Sequence, residues 1–217
     1  MSQEPKSKTY VKDSFFLTYL VLMGYTTITL IEAVRTPSTN VRHIMNLETT
    51  VSLVATIVYS LFIERLKDPA TELKDITKFR YTDWLITTPL ILLALLLFYN
   101  QSLSSIPYQT YFSIVVLNWL MLGAGYMGET GIIEKQAGGL LGFGFFIALL
   151  YTMVSCCIPS TANLSGFAVF ALLWTGYGVA YYLDEETKNL MYNILDLCSK
   201  ALFGVGLWFF YGKVLKF

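Results

Sequence analysis

The 217-residue chain is poor in charge. Asp, Glu, Lys and Arg together make up 14% of it, where an ordinary soluble domain carries about 25%. No excess of either sign exists, with 15 basic against 15 acidic residues, which excludes a nucleic-acid binder that works through a broad positive field. Histidine is nearly absent: His43 stands alone, far from any Cys or His cluster, so no metal site is expected. The three cysteines cannot build a disulfide framework. Cys156 and Cys157 are neighbours and Cys198 lies in an apolar run, where inert buried thiols are expected. The first thirteen residues are too polar for a signal peptide. What the chain has instead is apolar mass: 55% hydrophobic residues, 16% aromatics and a mean hydropathy of +0.55. These values describe an integral, multi-pass membrane protein surrounded by lipid.

A spanning helix needs roughly 20 apolar residues. Seven such runs are present, at about 14–35, 41–64, 77–99, 106–127, 137–158, 164–183 and 188–212. They predict an all-α, seven-transmembrane-helix bundle occupying residues 1–217 as one domain, behind a polar segment 1–13. The breaks carry turn chemistry: Arg35-Thr-Pro-Ser-Thr-Asn40, Asn100-Gln-Ser-Leu-Ser-Ser-Ile-Pro107, Gly138-Gly139 and Ile158-Pro-Ser-Thr-Ala-Asn163. Gly123-Ala-Gly125-Tyr-Met-Gly128 matches the dinucleotide fingerprint, but no strand precedes it. Close helix packing is the better reading. Asn100-Gln-Ser102 and Asn163-Leu-Ser165 match glycosylation acceptors at chance frequency.

The informative residues are ionisable groups stranded in apolar runs, where a charge costs at least ~2.5–3.5 kcal/mol. These are Glu48, Asp83, Asp196 and Lys200, joined by Arg80 at the start of the third span. Lys200 lies midway along the last span with Asp196 one helical turn earlier on the same face. Taken alone, the two read equally as an ion pair that cements the bundle or as a Schiff-base lysine beside its counter-charge. The third span, Arg80-Tyr-Thr-Asp83-Trp84-Leu-Ile-Thr87-Thr88-Pro89-Leu90, puts Asp83 and Thr87 on one face with Arg80 a turn before. Two carboxylates, an arginine and a lysine can form a neutral quadrupole in the interior.

These two motifs together resemble the microbial (type 1) rhodopsins, and the resemblance extends over essentially the whole chain. It implies all-trans retinal bound covalently to Lys200 as a protonated Schiff base. Asp83 would be counter-ion and proton acceptor, Asp196 the second counter-ion, and Arg80 the link to the extracellular exit. Thr87 would hydrogen-bond Asp83 and tune its proton affinity, and Tyr59 would sit near Asp196. The retinal pocket implied is Trp84, Thr88, Trp174, Tyr177 and Tyr181, with Asn118, Gly142 and Leu149 as further candidates. A photoreceptor of this kind is a transporter of protons or small cations and no enzyme.

Departures from the family pattern sharpen the expectation. The cytoplasmic donor of archaeal proton pumps sits seven residues after the motif threonine, and here that position is Ala94. Glu48, on the cytoplasmic half of the second helix, is expected to replace it, as in the similar rhodopsins of giant viruses. Arg35 resembles the arginine that lines the oligomer centre of some of these, so a homo-oligomer, a pentamer, is expected. Channel members tend to carry a glutamate in the mid-second helix and an asparagine just after the lysine. Ala55 and Ala201 stand there, which favours an outward proton pump over a light-gated cation channel, with a photosensor coupled to a separate transducer as a third possibility. Gly178 replaces a sixth-helix proline, and Asp184-Glu-Glu-Thr-Lys188 offers no clean match to the family's proton-release pair. The family places the N-terminus outside. The charge rule opposes this, with ten Lys/Arg on the outer segments against Arg35, Arg42, Lys213 and Lys216 on the inner ones.

Overall fold

The computed structural model describes residues 6–100, 102–157, 164–202 and 204–206. The break at 158–163, the acceptor Asn163, the side chains of Cys156 and Cys157, and the last span beyond 206 with Lys213 and Lys216 lie outside the described residues. Seven α-helices follow one another: α1 (Lys6–Arg35), α2 (Thr39–Arg65), α3 (Leu73–Asn100), α4 (Tyr108–Thr130), α5 (Lys135–Cys157), α6 (Leu164–Ala180) and α7 (Glu185–Asp196). Leu197–Leu202 continues α7 as a widened π-helical stretch, and Leu103–Ser105 forms a short 3-10 turn before α4. Consecutive helices pack side by side, and α7 returns against α1 to close the bundle.

Helices begin earlier than the apolar runs because polar first turns extend them beyond the hydrocarbon. α1 starts at Lys6 and α7 at Glu185. Local chemistry sets the ends. Ser38 caps α2 by accepting from the Val41 amide at 3.4 Å. Gly131, at φ 76°, closes α4 in the left-handed region that glycine adopts without strain. Asp184 caps α7 by accepting from the Thr187 amide at 3.0 Å, and hydrogen bonding with Thr187 holds the Asp184 carboxyl below its usual range. Pro89 lies inside α3 and leaves the Leu85 carbonyl without its helical donor. The Trp119 indole of α4 supplies that bond at 3.1 Å, and Tyr111 donates to the Pro89 carbonyl at 3.0 Å. A break in one helix thus becomes a clamp between two.

Large apolar side chains such as Leu17, Ile147 and Leu172 face outward, as lipid contact requires. Among the described residues, five helices are long and apolar enough to span a membrane, and α6 contributes a shorter apolar stretch, Gly166–Ala180. Gly125 and Gly128 of the apparent dinucleotide motif serve packing, while Gly123 faces open space. A Cβ on Gly125 would meet the Tyr81 hydroxyl at 2.9 Å, and one on Gly138 would meet Gly128 Cα at 3.0 Å, so α4 and α5 approach nearly backbone to backbone.

α7 differs from the rest. Lys188, Asn189, Tyr192, Asn193, Asp196, Ser199 and Lys200 are all buried, so its inward stripe is polar. That stripe builds the site.

Candidate functional site

Lys200 sits in the π-helical stretch, a local widening that re-aims side chains and recurs at functional sites. Its Nζ is hydrogen-bonded to Asp83 Oδ2 from α3 and lies 3.6 Å from Asp196 Oδ1 one turn away. Arg80 reaches Asp196 Oδ2 at 3.4 Å. All four groups are fully buried, and two positive and two negative charges balance. Each buried ion would cost several kcal/mol unpaired; the quadrupole offsets that penalty.

The two carboxylates are not equivalent. Asp196 accepts from Tyr59 at 2.7 Å, Tyr177 at 2.7 Å, Trp84 at 3.4 Å and Arg80. Four donors stabilise its ionised form. Asp83 is bonded through Oδ2 alone, and no protein group bonds its Oδ1. A proton arriving from Nζ therefore finds an acceptor site on Asp83 and none on Asp196. Arg80 is held from several sides, donating to Tyr59 at 2.9 Å, to Asn189 at 3.2 Å and to Asn193 Oδ1. Phe15 and Phe62 present their ring faces to the guanidinium, with centroids 4.9 and 5.1 Å from its carbon.

A cavity opens from Lys200 between α3, α4, α5 and α6. Trp84, Thr88, Gly142, Trp174, Tyr177 and Tyr181 line it. Asn118 and Leu149 do not. Asn118 stands behind Thr88, donating to its hydroxyl at 2.7 Å, and Leu149 is packed in the apolar core near Trp174. Thr87 also differs from expectation: its hydroxyl donates to the Asp83 main-chain carbonyl at 2.9 Å instead of to the carboxylate. Tyr59 does meet Asp196.

Glu48 lies apart from this cluster but against the same helix. It is buried, accepts from the Tyr25 hydroxyl at 3.1 Å through Oε2, and has no protein partner on Oε1. Gly204, one turn beyond Lys200, faces it, since a Cβ there would stand 2.5 Å from Glu48 Oε2. Ala94 is buried on α3, beside Leu92, Leu95 and Leu96 of the apolar core. Arg35 is on the surface, with 66% of its side chain exposed and ion-paired to Glu32 at 2.7 Å.

Residues 11–214 match the family of bacteriorhodopsin-like proteins. The chain belongs to that family. The crystal structure of the viral rhodopsin OLPVRII superposes with a TM-score of 0.90 at 41% identity, covering 95% of this chain and all of the other. A blue light-absorbing proteorhodopsin from Med12 shares the fold, with a TM-score of 0.77 at 22% identity over 94% of this chain and 98% of that one. In sequence, the green-light absorbing proteorhodopsin of Gamma-proteobacterium EBAC31A08 is 27% identical over 150 residues, 61% of this chain. The matched region spans 60% of that relative's length.

Microbial rhodopsins of this family bind retinal through a lysine, and all-trans retinal is the usual cofactor. The residues here fit it. The cavity walls are largely aromatic and apolar, and it ends on a buried lysine amine. Several of this rhodopsin's site residues were not anticipated from sequence. Met121, Phe143 and Phe146 complete the cavity wall, Ser199 bonds Tyr177 at 2.8 Å, and Asn189 and Asn193 anchor Arg80. The asparagines had a readable signal, the four-residue spacing Glu185, Asn189, Asn193 along one face of α7. Tyr25 and Gly204 had none, because their importance lies in contact with Glu48.

Proposed function

We propose that this rhodopsin is a light-driven outward proton pump, with Lys200 holding retinal, Asp83 accepting the proton and Glu48 supplying the next one. Bound retinal supplies the absorption of visible light and an isomerisation that displaces the linked nitrogen. Lys200 Nζ then gives its proton to Asp83 Oδ2, the oxygen to which it is already hydrogen-bonded. Asp196 stays charged under its four donors and balances Arg80 throughout. Glu48 returns a proton to Nζ along α7 and refills from its own side of the membrane, while Asp83 discharges toward Arg80. Trp84, Trp174, Tyr177 and Tyr181 shape the cavity and exclude water from the transfer.

The inequality of Asp83 and Asp196 is the observation that carries this reading. A pump needs one carboxylate that changes protonation and one that does not. Apolar packing supports it further: among the described residues Ala55 and Ala201 are buried, and Ile91, Leu92, Leu95 and Leu96 pack the half of the bundle that holds Glu48. The family orientation, with the N-terminus outside, makes the pumping outward. The exposed Arg35 supports a homo-oligomer, a pentamer, with that residue toward its centre; light scattering of the detergent-solubilised protein measures the stoichiometry.

The test is the photocurrent of the retinal-loaded protein under voltage clamp with identical solutions on both sides. A current at zero voltage that keeps its sign through roughly ±100 mV is expected, since the transfers are driven by light and not by the field. Its sign reports the orientation. A current that vanishes at zero and reverses with voltage replaces the pump with a channel, and silence with an intact absorption cycle replaces it with a sensor.

A further inference from the structure

Beyond Arg80 the polar network continues to the start of α7. Asn189, which accepts from Arg80, donates to Thr77 at 2.9 Å, and Thr77 donates to Glu185 Oε2 at 2.8 Å. There it meets Lys188, a lysine with 0% exposure. Its ammonium donates to Glu185 Oε1 at 2.7 Å and to both oxygens of Glu129 at 2.9 and 3.2 Å. An ammonium has three protons, and all three are spent on these two carboxylates. Glu129 is itself buried at the end of α4. A second cation, Lys135, faces the group from α5, with Nζ 5.2 Å above the Tyr181 ring. The pump described above makes no use of this cluster.

Two carboxylates facing each other without a cation share a proton, because like charges at short range cannot both remain ionised. Such a pair on the exit side is a stored proton, ready to leave when Arg80 shifts. Here an ammonium stands between them. We propose that Lys188 keeps Glu129 and Glu185 free of any stored proton, so that the proton released in each cycle is the one leaving Asp83, late, and none is released when Asp83 is protonated.

This inference rests on the pump reading and adds the order of its steps. While Nζ lacks its proton, an early discharge of Asp83 would leave a buried carboxylate beside a neutral nitrogen, which is strongly unfavourable. Discharge therefore waits for Glu48 to reprotonate Nζ. The balance is one proton from Nζ to Asp83, one from Glu48 to Nζ, one from the inner solvent to Glu48, and one from Asp83 to the outer solvent.

The experiment follows the acidity of the medium with pyranine after a flash, on the full retinal-loaded chain in detergent at pH 7. Absorption changes that report loss and return of the Nζ proton are recorded alongside. In the unaltered protein the medium is expected to show no acidification while Nζ loses its proton, and acidification only after Nζ regains it. Acidification during the first phase overturns the proposal without any variant. Lys188→Met combined with Lys135→Met, which removes both cations facing the pair, is expected to let the carboxylates hold a proton and to bring release of up to about one proton per molecule into the first phase, while Lys188→Arg keeps release late. Unchanged late release in that double variant, once it forms its pigment, also overturns the proposal. A purely structural lysine would alter yield or stability without moving the time of release. Absence of any pH change through a complete absorption cycle is a different result: it removes the pump reading and this inference with it.

Discussion

The two halves of the bundle on either side of Lys200 are built on opposite principles. Toward Arg80, almost every polar group has a partner: Asp196, Tyr59, Asn193, Asn189, Thr77, Glu185, Lys188 and Glu129 form one hydrogen-bonded chain. Toward Glu48 the described interior is mainly apolar, with Ile44, Met45, Ile91, Leu92, Leu95 and Leu96. Its buried polar groups bond locally: the Tyr25 hydroxyl donates to Glu48 Oε2, Ser52 to the Glu48 carbonyl, Thr49 to Thr29 and Arg35 to Glu32, and Glu48 Oε1 has no protein partner. A wired half and a dry half teach that the two transfers of the proposed cycle face different obstacles. On the wired side Asp83, the proposed acceptor, already touches Lys200 Nζ. On the dry side a proton must cross apolar packing from a carboxylate whose charged form has a single hydrogen bond, and this step is expected to limit the cycle.

The comparison breaks most completely at its hinge. Lys200→Ala removes the amine that both halves address, and the visible pigment is expected to vanish; absorption spectroscopy after retinal addition checks this, and a surviving visible band would move the linkage elsewhere. Loss of one partner from a buried ion cluster costs about 3–5 kcal/mol, so the thermal midpoint should fall as well. Asp83→Asn strikes the wired half alone. Loss of the nearest counter-charge is expected to red-shift absorption and stop transport, whereas a pumping Asp83→Asn protein would transfer the acceptor role to Asp196. Glu48→Gln strikes the dry half alone. Reprotonation of Nζ, read as absorption recovery after a flash, should slow tenfold or more, with the spectrum little changed because Glu48 lies outside the quadrupole. Unaltered recovery would return Glu48 to a structural role.

The sequence carried the wired half better than the dry one, for a physical reason. Arg80, Asp83, Asp196 and Lys200 are charges inside apolar runs, and their cost in hydrocarbon makes them conspicuous without a structure. Their i,i+3 and i,i+4 spacings already assign each pair to a face. The seven spans were legible from apolar length, and their ends were less so, because helix continues past the hydrocarbon into polar turns, as α1 and α7 do. Contacts across helices left no trace. Nothing in the spacing of Thr87 says that its hydroxyl turns to the main chain instead of to Asp83, and nothing separates Asn118 behind the cavity from Thr88 at its wall. The cluster of Glu129, Lys188 and Glu185 joins residues 59 positions apart, and its charges were hidden because each stands near a helix end, where a charge is unremarkable.

Tyr25 offers the finest test of the dry half. Its hydroxyl, donated to Glu48 Oε2 at 3.1 Å, is the one hydrogen bond from a side chain to that carboxylate among the described residues. If Glu48 gives up its proton as proposed, the charge left behind is buried against Gly204, where no side chain can follow. The tyrosine bond is then what stabilises it, worth about 1–1.5 kcal/mol. Tyr25→Phe keeps the ring and removes only that bond, so recovery after a flash should slow by roughly 5–10-fold, less than for Glu48→Gln. Combined with Glu48→Gln it should add almost nothing, because the charge it supports no longer forms. Fully multiplied effects in the double variant would mean that Tyr25 acts on the cycle by another route than through Glu48.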